Sequence, residues 1–132
     1  MYLFDTNVFL EILLEQEKEQ VCKKALGSIN ERQPGWITSF SLHAIQALMG
    51  NAKRCGALKT FLESCQENPH LFCYATTLEE DMEIAQLIPK LKLDFDDALQ
   101  YYVARKQKLT LVTFDQDFQK VRDIQVVSPE AL

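Results

Sequence analysis

Three aspartates stand where an α/β chain could use them together. Asp5 closes the apolar run Tyr2-Leu3-Phe4, Asp97 lies in the first turn of a helical stretch that begins at Phe95, and Asp115 follows the apolar run Leu109-Thr110-Leu111-Val112-Thr113. Two carboxylates held about 4 Å apart repel by roughly 4 kcal/mol at an effective dielectric of 20. A fold tolerates such a cluster when the groups share protons or a cation. Oxygen donors with no cysteine or histidine set beside them suit a hard ion, Mg²⁺ or Mn²⁺, that keeps several of its waters. Ions of this kind activate water and stabilise phosphoryl oxygens, so phosphodiester hydrolysis is the chemistry to expect. Each aspartate also has a local reading. Asp5 suits an Asx turn with Thr6 and Asn7, and Asp115 suits a cap on a helix starting at Gln116. Asp94 suits the N-cap of the helix that carries Asp97 at its third position. Asp94 and Asp96 read as structural, with Asp96 projecting away from Asp97 on the helix. Asp117 reads as a solvent-facing acid of a first turn.

The elements that must position these groups follow from the spacing of apolar residues. The 132 residues suit one domain, 1–132, with no repeat, linker or low-complexity tract. Strands are expected at 2–5, 36–38, 71–75, 109–113 and 124–127. Helices are expected at 8–26, 40–50, 54–66, 78–88, 95–106 and 116–121, with Pro89 ending the fourth. Thr38, Ser39 and Ser41 are candidate caps for the second of these helices. Strands alternating with helices predict an α/β fold, a mainly parallel sheet covered on both faces, and the doubly apolar runs LTLVT and IQVV fit strands buried on both sides. In such sheets the site lies beyond the carboxyl ends of the strands, where Asp5 and Asp115 fall.

Composition narrows the partners. Nineteen acids against fourteen bases leave a net charge of −5, which argues against gripping nucleic acid through the overall field. RNA contact then needs a local basic patch or metal ions that reverse the sign of an acidic cleft. Lys53, Arg54 and Lys59 follow the 40–50 helix and are the candidates for such a rim, although a solvated helix surface is the favoured account of them. Arg105, Lys106 and Lys108 lie at the far end of the Asp97 helix, and Tyr101 and Tyr102 read as core or interface rather than base-stacking residues. Cys22, Cys55, Cys65 and Cys73 show no CxxC pairing and read as small buried hydrophobes in a reducing compartment. No leader pattern opens the chain and no apolar run approaches about 18 residues, so a cytoplasmic protein without a membrane span is expected.

Three segments carry a resemblance. Leu3-Phe4-Asp5-Thr6-Asn7 is similar to the DTN opening of PIN domains. Leu93-Asp94-Phe95-Asp96-Asp97-Ala98-Leu99, followed by Ala104, resembles their DA-containing helix, and Leu111-Val112-Thr113-Phe114-Asp115-Gln116-Asp117-Phe118 resembles their LVTxDxDF segment. The order and spacing agree over nearly the whole chain, ending at Val126-Val127-Ser128-Pro129. The resemblance implies a PIN-like three-layer α/β/α sandwich with a central, mainly parallel five-stranded sheet. It also implies a metal-dependent endoribonuclease, commonly the toxin of a toxin–antitoxin pair of the VapC kind, that often dimerises. On it, Asp5 and Asp97 would bind the principal Mg²⁺ or Mn²⁺, Asp115 would hold that ion or a second, and Asn7 and Thr113 would support them by hydrogen bonds. The helices at 8–26 and 54–66 would pair protomers or take a partner peptide.

One position departs from the family. PIN domains usually carry a glutamate about four residues before the glycine that ends the 40–50 helix, and here Gln46 precedes Gly50. An amide can ligate through its carbonyl or hold a water, but it removes one negative charge from the site. His43, one turn earlier, is a helical histidine with a surface role as its simpler reading. The alternative is therefore a PIN domain with a weakened site that binds RNA or a protein. A phosphotransfer domain fits poorly: a receiver needs an acidic pair after strand one, and a dehalogenase-type site needs an aspartate where Asn7 stands.

Overall fold

Apolar alternation decides which way each strand faces. In the computed structural model, which describes residues 1–51 and 53–132, Leu3 and Leu111 turn to one side of the sheet while their neighbours Phe4 and Val112 turn to the other. The strands are β1 (Tyr2–Phe4), β2 (Gly35–Thr38), β3 (Leu71–Tyr74), β4 (Thr110–Val112) and β5 (Val126–Val127). The helices are α1 (Thr6–Leu13), α2 (Glu19–Gly27), α3 (Ser39–Met49), α4 (Cys55–Glu67), α5 (Leu78–Leu91) and α6 (Phe95–Gln107), with short 3₁₀ turns at Gln116–Lys120 and Pro129–Ala131. All pairings are parallel, in the order β3-β2-β1-β4-β5, which makes this a PIN-like α/β/α sandwich. One layer packs α5 and α6 against Leu3 and Leu111 through Ile84, Leu99 and Val103. The other packs α1, α2 and α3 against Phe4, Ile37 and Val112 through Val8, Phe9, Cys22, Ala25, Ile45 and Met49.

The chain runs from β1 outward through β2 to β3, then crosses back to place β4 on the other side of β1. The reversal of order between β1 and β4 is a topological switch point, where the loops leave in opposite directions and open a crevice. Tyr2 pairs with Thr110 and Phe4 with Val112, so the two strands end level, and the Asp5 amide still donates to the Val112 carbonyl at 3.0 Å. Asp5 and the Thr113–Asp115 turn therefore leave the sheet side by side.

Three sequence expectations need correction. The single helix expected over 8–26 is two helices, because Glu15–Gln20 contains no apolar residue to hold it on the sheet. The break is stabilised by Glu15 in the left-handed region (φ 50°) and by the Glu11 carboxylate, which accepts the Lys18 amide at 2.9 Å. Pro89 does not end α5; the helix runs on to Leu91 and stops at Lys92, whose φ of 54° and amide bond to the Ile88 carbonyl close the end. A proline this near a C-terminus removes one intrahelical bond, which the packing of Leu87, Ile88 and Leu91 on the core offsets. Of the four cysteines only Cys22 is buried, while Cys55 and Cys73 are exposed. No helix among the described residues is long and apolar enough to cross a membrane.

α5 and α6 are locked together at the end of α6 remote from Asp97. Thr77 and Glu80 form a reciprocal capping box at the start of α5. The Glu80 carboxylate also accepts from the Tyr74 hydroxyl and from Lys106 Nζ at 2.9 Å, and these donors, the tyrosine first, hold its pKa down to about 2. Arg105 pairs with Asp123 at 3.4 Å. Lys106 and Arg105 are thus committed to α5 and the loop before β5, at the end of α6 remote from Asp97.

Candidate metal centre

Asp5 is 6% exposed, and every bond to its carboxylate is set by the end of a strand. Thr113 Oγ1 donates to Asp5 Oδ2 at 2.6 Å, and the Thr6 amide donates to Oδ1 at 2.7 Å. Thr113 Oγ1 in turn accepts the Asp115 amide at 3.0 Å, so one hydroxyl joins the exits of β1 and β4. Asp115 Oδ1 accepts the Asp117 amide at 2.8 Å, winding the 3₁₀ turn tightly enough to return Asp117 beside it. α6 brings Asp97 over the same crevice from its first turn. Oxygens of Asp97, Asp115 and Asp117 all lie within 4.8 Å of one another, and a second set joins Asp94, Asp96 and Asp97 on the same terms.

The electrostatics bear out how close these groups are. Asp97 is 9% exposed, and burial first, then the charges of Asp96, Asp115, Asp5 and Asp117, push its pKa from 3.8 up to about 7. Burial also raises Asp5, against the lowering hydrogen bonds of Thr113 and Thr6, with Asp115 and Asp96 adding to the rise. A group whose folded pKa is raised stabilises the fold fully below its unfolded pKa, and that contribution is lost as pH rises through the folded value. Metal-free protein in EDTA is accordingly expected to lose thermal stability between about pH 4 and pH 7. Addition of Mn²⁺ should remove most of that slope. A melting temperature flat across this window in EDTA would contradict the crowding of the carboxylates.

The structure thus brings Asp97 and Asp115 together, with Asp5 close enough to raise the pKa of Asp97 and Thr113 bridging β1 and β4. Asn7 is exposed and makes no side-chain hydrogen bond to these groups; it lines a groove with Leu10, Glu11 and Phe114 instead. Gln46 is half-buried on α3, and no hydrogen bond of its side chain ties it to the carboxylates. A side chain at Gly50 would place its Cβ 2.5 Å from the Gln46 carbonyl, so a glycine is needed to end α3 this close to its last turn. His43 is exposed, and Lys53, Arg54 and Lys59 are exposed as well, Lys59 pairing with Glu63 at 3.7 Å.

Several local expectations give way. Asp94 occupies the N-cap of α6, but its side chain makes no capping hydrogen bond. Asp96 does not project away from Asp97; it is the charge that contributes most to raising the Asp97 pKa. Asp117 is solvent-facing as read, and in addition one of its oxygens joins those of Asp97 and Asp115. The sequence signal for it is the Asp-x-Asp spacing at a strand exit, where the bond from the Asp117 amide to Asp115 Oδ1 draws the two residues together. Of the expected caps of α3, Thr38 alone accepts the amide bond, from Ser41.

These features, an all-parallel five-stranded sheet with acidic residues gathered at its switch point, define a class of protein. The family model for the PIN domain matches residues 2–124, and the chain belongs to the PIN domain family. Solved structures agree in fold over essentially full length on both sides. A toxin–antitoxin complex from Klebsiella pneumoniae matches with a TM-score of 0.73 at 21% identity, covering 98% of each chain. A VapBC complex from Rickettsia felis bound to a DNA fragment from their promoter matches with a TM-score of 0.77 at 16% identity, covering 96% of this chain and 97% of that one. A VapC toxin from Mycobacterium tuberculosis, described as cleaving the sarcin–ricin loop, matches with a TM-score of 0.74 at 15% identity, covering 95% of this chain and 99% of that one. No curated protein sequence matches.

Proposed function

We propose that the chain is a divalent-metal-dependent endoribonuclease of the VapC kind, the toxin of a toxin–antitoxin pair, acting in the cytoplasm. The observation that carries this reading is the convergence of Asp97, Asp115 and Asp117 within 4.8 Å, beside the buried Asp5, in a PIN domain. The donor set fits a Mg²⁺ or Mn²⁺ ion: it is all oxygen, and its members disfavour one another's charge, as the raised pKa of Asp97 records. Asp5, Asp97 and Asp115 would hold the ion, and Asp117 is added to them on its position. When bound, the ion supplies an activated water and stabilises charge on the phosphoryl oxygens.

The chain's own contribution is orientation. Thr113 and the Thr6 amide fix both oxygens of Asp5, and the Asp117 amide fixes one oxygen of Asp115, so the remaining lone pairs point in set directions. Carboxylates already held in place do not have to be ordered when the substrate arrives. RNA is the substrate on this reading, an antitoxin protein is the partner, and two copies form the working unit. Asn7 and Gln46 would support the site without a hydrogen bond to its carboxylates.

The experiment is cleavage of single-stranded RNA by the purified protein, with Mn²⁺ or Mg²⁺ added and then removed by EDTA. Cleavage that needs the ion supports the reading, and no ion binding at millimolar levels ends it. Gln46 favours a second reading, a PIN domain whose weakened centre binds RNA or protein without cutting, because it leaves the site one carboxylate short of the family pattern. Gln46→Glu restores that charge. It is expected to strengthen Mn²⁺ binding by about tenfold, equivalent to about 1.4 kcal/mol, with a matching rise in cleavage at limiting metal. Unchanged affinity in a titration would place position 46 outside the metal site.

A further inference from the structure

Beneath the acidic cluster lies a buried polar chain that the proposed chemistry does not use. Gln100, on α6 and 1% exposed, donates from Nε2 to Ser41 Oγ at 2.7 Å. Ser41, on α3 and fully buried, also lies 2.7 Å from Thr6 Oγ1 and accepts from Thr38 Oγ1 at 3.1 Å. A hydroxyl has one proton and two accepting lone pairs. The Gln100 amide and the Thr38 hydroxyl occupy both lone pairs, so the Ser41 proton goes to Thr6. The next link is the Thr6 amide, which holds Asp5 Oδ1 at 2.7 Å. At the other end, Gln100 is three residues past Asp97 on α6, and residues three apart share a helix face. A continuous path of short bonds therefore runs from the Asp97 turn of α6 through α3 to the Asp5 corner of β1.

We infer that Gln100 and Ser41 are positioning residues that set the spacing between Asp5 and Asp97, and through it the site's affinity for a divalent cation. The inference rests on the metal-dependent reading above. Packing alone gives little reason for a glutamine here. α6 is already anchored by Ala98, Leu99, Val103 and Ala104, all buried, and a leucine of similar volume would join them. Gln100 Oε1 is buried with no hydrogen-bond partner among the described residues, which is a cost to the fold that an apolar residue would not carry. What leucine cannot supply is the directed bond to Ser41. Without that bond, nothing polar ties the rotation of α6, and with it the direction of the Asp97 carboxylate, to the corner that holds Asp5.

The test uses the full chain and Mn²⁺ alone, with affinity read by paramagnetic resonance titration and melting temperature in EDTA read alongside. Gln100→Leu is expected to bind Mn²⁺ about 10–100-fold more weakly, the range found when groups that orient metal ligands are removed. Its metal-free melting temperature should equal or exceed that of the wild type, because the unpartnered oxygen is gone. Ser41→Ala should weaken binding similarly, and the double variant should bind no more weakly than the poorer single one, because both act through one path. A Gln100→Leu protein with wild-type Mn²⁺ affinity overturns the inference, whatever its melting temperature. If that variant does not fold, wild-type affinity in Ser41→Ala overturns it equally. A wild-type protein that binds no Mn²⁺ brings down the metal-centre reading itself, whereas wild-type binding with unaltered variants removes only the role given to Gln100 and Ser41.

Discussion

Asp97→Asn is expected to lower RNA cleavage on the order of 10²–10³-fold, the usual cost of removing one group that stabilises transition-state charge, while making the metal-free protein more stable. The two effects have one origin. Asp97 is nearly buried and faces Asp96, Asp115, Asp5 and Asp117, so its charged form is held only against desolvation and repulsion, as its pKa of about 7 shows. Asparagine keeps the shape and removes the charge. Below about pH 4 the wild-type carboxyl is protonated in both folded and unfolded states, and the two proteins should melt alike. Above pH 7 the wild type carries the unfavourable charge and the variant does not. One pKa unit corresponds to about 1.4 kcal/mol, and with residual solvent contact discounted the gain at pH 8 is on the order of 1–2 kcal/mol. Melting curves in EDTA from pH 4 to pH 8 check this. Coincident curves at pH 8 would mean that the carboxylates are not crowded, and the metal centre would lose its electrostatic basis.

Thr113→Val is the second large effect, and it acts on the fold as much as on the site. Thr113 is 4% exposed; its hydroxyl donates to the Asp5 carboxylate at 2.6 Å and accepts the Asp115 amide at 3.0 Å. Valine fills the same volume and leaves both partners unmet inside the protein. A hydrogen bond to a charged group contributes about 1.5–3 kcal/mol, so a loss of roughly that size is expected in urea unfolding at pH 7. The pH dependence has a definite sign. Burial leaves the Asp5 pKa above the carboxylate's ordinary value even though the Thr113 bond lowers it, so the stabilisation from that bond is present above this raised value and lost as pH falls and Asp5 is protonated. The difference between wild type and variant should shrink toward pH 4. A gap that stays constant with pH would assign the loss to packing rather than to the carboxylate. Mn²⁺ affinity should fall as well, since Asp5 and Asp115 would no longer share a fixed donor and acceptor.

Much of this arrangement was legible before any coordinates. Asp5 and the Thr113–Asp115 turn lie directly after apolar runs, and the position of a residue at a strand exit is a local property. Parallel order followed from strands alternating with helices, and the layered sandwich followed from apolar runs buried on both faces. The three PIN-like segments stood in order, and Gln46 marked the departure from them. Where residues were read by local periodicity alone, the reading failed in identifiable places. Asp96 and Asp97 diverge on an ideal helix surface, yet the first turn of α6 lies against other acids, and side-chain reach brings Asp96 into the same field. Asp117 stays exposed in its first turn, as read, but what the local reading missed is that its carboxylate also comes within 4.8 Å of oxygens of Asp97 and Asp115. The 8–26 helix broke where six polar residues left nothing to pack, although helical propensity there is ample.

What the amino-acid order determined by itself was therefore the set of elements, their parallel assembly and the identity of the acids at the strand ends, because each depends on neighbours a few residues away. Only the tertiary structure decided which acids share a field, that Thr113 joins Asp5 to Asp115, and that Gln100 reaches Asp5 through Ser41 and Thr6. Those relations link positions 35 to 108 residues apart, and they come into being when β4 is laid beside β1 and α6 closes over the gap. Pattern along a chain carries no distance between such positions; packing does.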